Sequence, residues 1–240
     1  MASNLTDKTP DISLIEELCL LAIDDNGVIS PVTSDAAFGM SIVGACLVEL
    51  CLRGRLDAEL REIVPGAPPR AVVWVIDRSP VGEPALDYVL SEIAAADVTP
   101  VVDWTYRLVS AAPNLLGMAL QRLQARGIIA LQEKLILWVL KSRRYPVIDG
   151  RELREAKLRI VDILIGNSVP TPHDSVLIGL AQTSGVLAQF FSEGELRRLR
   201  PKIDEVSSLD IVAKEVDWAI GDEIRRRAQA LALAAGAYIG

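Results

Sequence analysis

The chain of 240 residues contains one histidine, His173, in the phrase Pro170-Thr171-Pro172-His173-Asp174. Histidine suits acid–base chemistry near neutral pH, but a catalytic triad also needs a positioned nucleophile. No Gly-x-Ser-x-Gly turn supplies one. Asp174 reads instead as the cap of the helix that follows. The three cysteines, Cys19, Cys46 and Cys51, fall inside apolar helical patterns. They read as buried, reduced thiols, and neither a Cys-x-x-Cys pair nor a typical mixed zinc site can be assembled. Asp24-Asp25-Asn26-Gly27 lacks the alternating ligands and the distal glutamate of a calcium loop, so it reads as a turn. Glycine-rich phosphate loops are absent. No enzyme, metal or cofactor is expected.

The cations offer more. Lys141, Arg143 and Arg144 follow the run Leu135-Ile136-Leu137-Trp138-Val139-Leu140. Apolar residues with a tryptophan beside cations suit the boundary between lipid tails and anionic headgroups. Leu137, Trp138, Leu140, Lys141, Arg143 and Arg144 are therefore the candidate lipid-binding residues. The alternative is a strand with one face in the core and a solvated basic turn. Arg197-Arg198-x-Arg200 and Arg225-Arg226-Arg227 read as solvated helix faces.

The elements that must position these residues are mostly helical. Ser13 and Glu16 form a capping box ahead of Leu14, Leu18 and Leu21. A central helix is expected from about Phe38 to Arg53, with Leu47, Leu50 and Cys51 on one face and a stop at Gly54. The segment 55–63 is ambiguous between strand and helix. Ala71 to Ile76 reads as a strand that can pair with the segment around Leu56. Helices follow over 82–96, with Leu86, Val89, Leu90 and Ile93 buried, over 100–109 with Trp104, and over 112–126. The phrase Leu-x-x-Arg-Gly-x-apolar, first seen near Arg53-Gly54, recurs at Arg126-Gly127. A turn at 131–133, a strand over 135–140 and a basic tip at 141–144 then make a hairpin left through Tyr145-Pro146-Val147. Further helices are expected over 153–165, with Leu158, Val161 and Ile165 buried, and over 174–191, 193–200 and 208–238, the last bent or broken near Gly221.

Half of the residues are apolar, 24% are charged and only 5% are aromatic, so an aliphatic packed core is expected. The formal charge of −7 argues against a nucleic-acid binder, although a helix followed by a small sheet looks like a winged helix. The longest weakly polar run is read as Ala228 to Ile239, too short for the ~20 residues of a membrane span. No linker appears. The expected fold is mainly α, one globular helical domain around a central helix bundle with one or two small β-hairpins. It occupies 11–235 after a short polar tail at 1–10.

The order of these segments resembles the Golgi phosphoprotein 3 family. The resemblance opens at Ser13-Leu14-Ile15-Glu16-Glu17-Leu18. It is sharpest at Gly44 to Leu56, similar to Gly-Cys-x-Leu-x-Glu-Leu-x-Leu-Arg-Gly-Arg-Leu. It continues through Leu86-Asp87, Trp104, Arg126-Gly127-Ile128-Ile129, Tyr145-Pro146-Val147, Pro172-His173 and Trp218. It implies a helical globule whose projecting hairpin, here Leu135 to Val147, dips into the bilayer beside a pocket for phosphatidylinositol 4-phosphate. The pocket's tryptophan and three arginines fall on Ser34, Val43, Pro113 and Leu116, so its headgroup contacts are not retained. Each such charge-assisted contact is worth roughly 1.5–3 kcal/mol.

The resemblance thus implies a non-enzymatic, cytoplasmic, peripheral membrane adaptor of bacterial type, with an anionic phospholipid surface and an unidentified protein as partners. The competing reading is a protein-interaction or regulatory module, with winged-helix-like units and no lipid role. Neither reading calls for nucleic acid, and the sequence specifies no oligomeric state.

Overall fold

The computed structural model describes residues 12–29, 35–136 and 140–237, and their side chains except at 134–142, 227–228 and 230–237. The polar tail 1–10, Ser34, Leu137 and Trp138 lie outside the described residues. Helix α1 (Leu14–Ala22) starts at the expected capping box: the Ser13 N–H donates to the Glu16 carboxylate at 3.0 Å and its hydroxyl at 3.2 Å. Helix α2 (Asp35–Leu52) is buried almost throughout and forms the axis of the bundle. It is long and apolar enough to cross a membrane, a longer apolar stretch than the run at 228–239. Its apolar surface is spent on other helices.

After α2, strands β1 (Leu56–Arg61) and β2 (Arg70–Val75) pair antiparallel, Leu56 opposite Val75, so the ambiguous segment is a strand. A short β3 (Thr99–Pro100) joins the far edge of β2. Between them stands α3 (Pro84–Ala94), which buries Leu86, Val89, Leu90 and Ile93 as the periodicity predicts. Helices α4 (Val101–Leu108) and α5 (Ala112–Ala125) follow, joined by one 3-10 turn. Strands β4 (Gln132–Ile136) and β5 (Leu140–Arg144) form the second hairpin.

The repeated Arg-Gly phrase is a repeated structure. Gly54 (φ +63°) and Gly127 (φ +72°) both adopt the left-handed conformation. Each ends its helix with the same pair of backbone bonds: Gly54 N–H to Cys51 and Arg55 N–H to Leu50, Gly127 N–H to Gln124 and Ile128 N–H to Leu123. Each stop then releases the chain into an antiparallel hairpin, α2 into β1–β2 and α5 into β4–β5.

The remaining helices are α6 (Arg151–Leu164), α7 (Pro172–Thr183), α8 (Glu193–Ser207) and α9 (Ile211–Ala237). Four expectations are corrected here. The buried face of α6 is Ala156, Ile160, Ile163 and Leu164, while Leu158 and Ile165 are 66% and 63% exposed. Both rows are apolar at helical spacing, and the packing of α6 on α1, α7 and α8 selects the other one. The segment 174–191 is not one helix, because Gly185 turns left-handed at φ +79° after α7. Helix α8 continues through Pro201, since Leu196, Leu199, Ile203 and Val206 keep one row against the core. Helix α9 runs unbroken past Gly221, with Val216, Ala219 and Ile220 buried. One continuous apolar core joins these elements.

Candidate functional site

The conspicuous motif residues hold the fold together. Glu16 and Glu17 are adjacent and fully buried in α1, and each is met by an arginine. Arg122 of α5 reaches Glu16 at 3.0 Å, and Arg126 lies 3.9 Å from it. Glu49 of α2 accepts the Leu14 N–H at 3.0 Å and pairs with Arg53 at 2.7 Å. Arg53 also reaches Glu83, at the start of α3, at 2.6 Å, and Arg122 approaches that carboxylate at 3.6 Å. These charges therefore tie α1, α2, α3 and α5 together.

Glu17 faces the other way, toward Arg159 of α6 at 2.7 Å and His173 Nε2 at 2.7 Å. Arg159 also meets Asp174 at 2.9 Å. The cap of α7 is Thr171 rather than Asp174: the Asp174 N–H donates to the Thr171 hydroxyl, which itself donates to the Asp174 carboxylate at 2.7 Å. Burial alone would raise the Asp174 carboxyl, but Thr171 and Arg159 outweigh it and hold it below the ordinary value. His173 is thus only 8% exposed inside an ion cluster, with its Nε2 against the Glu17 carboxylate.

Two of the three thiols are buried as expected, Cys19 and Cys46, whereas Cys51 near the end of α2 is only partly buried. Burial raises Cys19 and Cys46 well above the ordinary thiol value. Burial also pushes Cys51 up, to about 12. Among the described residues, no group of three or more His, Cys, Asp or Glu could hold a metal ion.

The hairpin places the candidate cations differently from the sequence expectation. Lys141, Ser142, Arg143 and Arg144 form strand β5 rather than its tip, with Glu133 directly opposite Arg143. Opposite charges on facing positions favour that register. Gln132 and Glu133, expected in a turn, belong to β4. Arg143 is 62% exposed and its Nε meets Glu133 at 3.2 Å, whereas Arg144 folds back toward the Asn26 carbonyl at 3.5 Å. For Leu140 and Lys141 only the backbone is described. The base of the hairpin is fastened to the body, with the Tyr145 N–H donating to the Gly27 carbonyl at 2.6 Å and Ile129 bridging to Val147.

Beside the hairpin lies a cleft of about 820 Å³ between the start of α2 and the start of α5. Val28, Ile29, Phe38, Ile42, Val109 and Leu116 give it apolar walls, and Asp35 and Arg143 are its charged residues among those described. A second cleft of about 400 Å³ lies along the other side of α5, lined by Tyr88, Asn114, Met118 and Gln121. Arg143 borders both. Of the four headgroup positions, Pro113 and Leu116 form part of the first cleft, and Val43 is buried in α2.

The molecule is thus a helical bundle built on two helix–glycine–hairpin units, one of which fastens a hairpin beside an apolar cleft. The Golgi phosphoprotein 3 (GPP34) family model matches residues 14–222, and the chain belongs to this family. Vacuolar protein sorting-associated protein 74 of Eremothecium gossypii is 27% identical over 176 residues, covering 68% of this chain. That match takes in 52% of the relative, so the chain spans about half the length of the curated protein it matches.

Periodicity and capping expose the helices and the glycine stops. They do not expose the buried Glu–Arg clusters, because helix propensity is blind to a partner more than 100 residues away, as Arg122 is from Glu16. The available signal was two consecutive glutamates inside an otherwise apolar helix, since buried carboxylates need cations.

Proposed function

We propose that the chain is a non-enzymatic, cytoplasmic adaptor that associates peripherally with anionic membranes through the β4–β5 hairpin. The observation that carries this reading is a hairpin fastened at its base with an exposed arginine, Arg143, on its second strand. Family membership and a relative named for vacuolar protein sorting support a trafficking role. The attraction is diffuse, because Arg143 is already shared with Glu133 and Arg144 turns inward. Among the described residues the neighbouring cleft carries one cation, where a multiply charged inositol phosphate needs several. Selectivity for phosphatidylinositol 4-phosphate is therefore not part of the reading.

Co-sedimentation with neutral, generally anionic and phosphatidylinositol 4-phosphate vesicles, each at low and high salt, tests it. Binding to both anionic vesicle types alike, weakened by salt, is expected. Combined replacement of Trp138, Arg143 and Arg144 by Ala, Gln and Gln should remove that binding. Absence of binding to every vesicle, or binding indifferent to the triple replacement, would overturn the proposal.

A second reading, a protein-interaction module, is favoured by the exposed row of Leu158, Val161 and Ile165 on α6. Capture of one stoichiometric protein partner, abolished by Leu158→Glu and independent of vesicles, would establish it in place of the first.

A further inference from the structure

The hairpin of β1 and β2 ends in a turn that the other described residues leave uncovered. Residues 60–69 are all exposed, and Leu60, Ile63 and Val64 hold three large apolar side chains in water beside Pro65, Ala67, Pro68 and Pro69. Apolar groups gathered at one projecting point call for an apolar partner. Across 65–69 each backbone N–H is either absent or bonded. The three prolines have none, Gly66 donates to the Glu62 carboxylate at 2.5 Å, and Ala67 donates to the Val64 carbonyl at 3.0 Å. A peptide partner gains from open backbone donors, whereas a lipid phase penalises them, so this turn favours lipid. The groups at its base suit the level of lipid headgroups. Arg61 and Arg70 face each other across the last pair of the ladder, Arg61 held by Glu59 and Arg70 by Glu215 at 2.6 Å. The Arg70 guanidinium also stacks 4.0 Å over the ring of Trp218, which is exposed on α9. Tryptophan rings and long cationic side chains with apolar stems favour the boundary between water and lipid.

We propose that the β1–β2 turn is a separate membrane contact, which inserts Ile63, Val64 and the prolines into the apolar edge of a phospholipid surface while Arg70 and Trp218 lie among the headgroups. Glu62 keeps the insertion shallow, because its exposed carboxylate must stay near water while it holds the Gly66 N–H. Both arginines are already paired, so the driving force is apolar burial and not lipid charge. So few side chains cannot hold the chain on a vesicle unaided, as even a single lipid chain anchors only marginally. The inference extends the membrane reading but does not rest on the β4–β5 hairpin. That contact weakens with salt and this one does not.

The test holds the full chain on phosphatidylcholine vesicles through a carboxy-terminal polyhistidine tag and a nickel-chelating lipid, so that retention needs neither hairpin. A polarity-sensitive fluorophore is attached to Val64→Cys and, for reference, to Ser91→Cys at an exposed position of α3. At position 64 the emission should shift to the blue on tethering. It should also be quenched by lipids brominated near the glycerol end of the acyl chain, and both effects should persist at high salt. The reference position should show neither. Ile63→Asp should lower the inserted fraction by roughly tenfold, because a second carboxylate must then leave water. The replaced side chains are exposed, so folding is not at stake. An unshifted label at position 64, equal quenching at the two positions, insertion removed by salt, or indifference to Ile63→Asp would refute the proposal. Insertion of the tethered turn without vesicle binding by the untagged chain would strike the β4–β5 reading alone. Binding by the untagged chain without insertion would strike only this one.

Discussion

Replacing Gly44 by alanine tests the packing of the central helix. Gly44 lies mid-way along α2, where helix propensity alone favours alanine by roughly 0.8–1 kcal/mol. A Cβ placed there would stand 2.6 Å from Val216 Cγ1, 3.1 Å from its Cγ2 and 3.2 Å from Leu180 Cδ2. Val216 is fully buried in α9, and its branched side chain has little rotameric freedom in a helix. Relief therefore requires α9 to move away from α2, and such overpacking costs about 1–3 kcal/mol. The clash wins, leaving Gly44→Ala less stable by roughly 0–2 kcal/mol. At roughly 2–4 °C per kcal/mol for a chain of this size, Tm falls by a few degrees. Gly117 in α5 is the control, because a Cβ there meets nothing within 4 Å. Gly117→Ala should raise stability by about 0.5–1 kcal/mol. Urea and thermal unfolding of both variants read the signs. A Gly44→Ala and Val216→Ala double variant should be more stable than the sum of the single effects, because the methyl refills the space that Val216 leaves. Equal signs at the two glycines, or strict additivity in the double variant, would refute the close approach of α2 and α9.

Arg159→Met leaves Glu17 with His173 and Asp174 with Thr171 but removes the cation between them. Losing one partner of a buried ion pair typically costs about 3–5 kcal/mol, reduced here because Arg159 is about one-third exposed. Chemical denaturation should show the larger part of that loss, and an unchanged midpoint would make the cluster ornamental. The Asp174 carboxyl is held below its ordinary value in the folded chain, so its contribution is present above the unfolded value near ~3.9. It is lost as pH falls through the lower folded value. Asp174→Asn should thus be less stable at neutral pH and flatter in the acid limb, which stability measured from pH 7 down to 2 will show. With Cys51 pushed up to about 12 and Cys19 and Cys46 higher than usual, the native chain should resist iodoacetamide at pH 7.5 and react at all three cysteines once unfolded. Rapid alkylation of the folded chain would contradict that burial.

Local chemistry wrote much of this molecule directly into the sequence. Ser13 with Glu16, and Arg-Gly at 53–54 and 126–127, mark a helix start and two helix stops through bonds that span five residues or fewer. The 3.6-residue repeat of Leu86, Val89, Leu90 and Ile93 likewise identifies the buried side of α3 without knowledge of its neighbours. Tertiary structure decided what such short-range terms leave degenerate. Helix α6 has two apolar rows, and only its neighbours select Ile160 and Ile163 over Leu158 and Ile165. The strand register put Arg143 opposite Glu133 and moved the cations from the tip onto β5. Most of all, the arginine partners of the buried Glu16 and Glu17 come from α5 and α6, and the apolar cleft exists only where α2, α5 and the hairpin converge. Capping and periodicity act over one or two turns, whereas desolvated charge and enclosed volume depend on whichever segments the fold brings together.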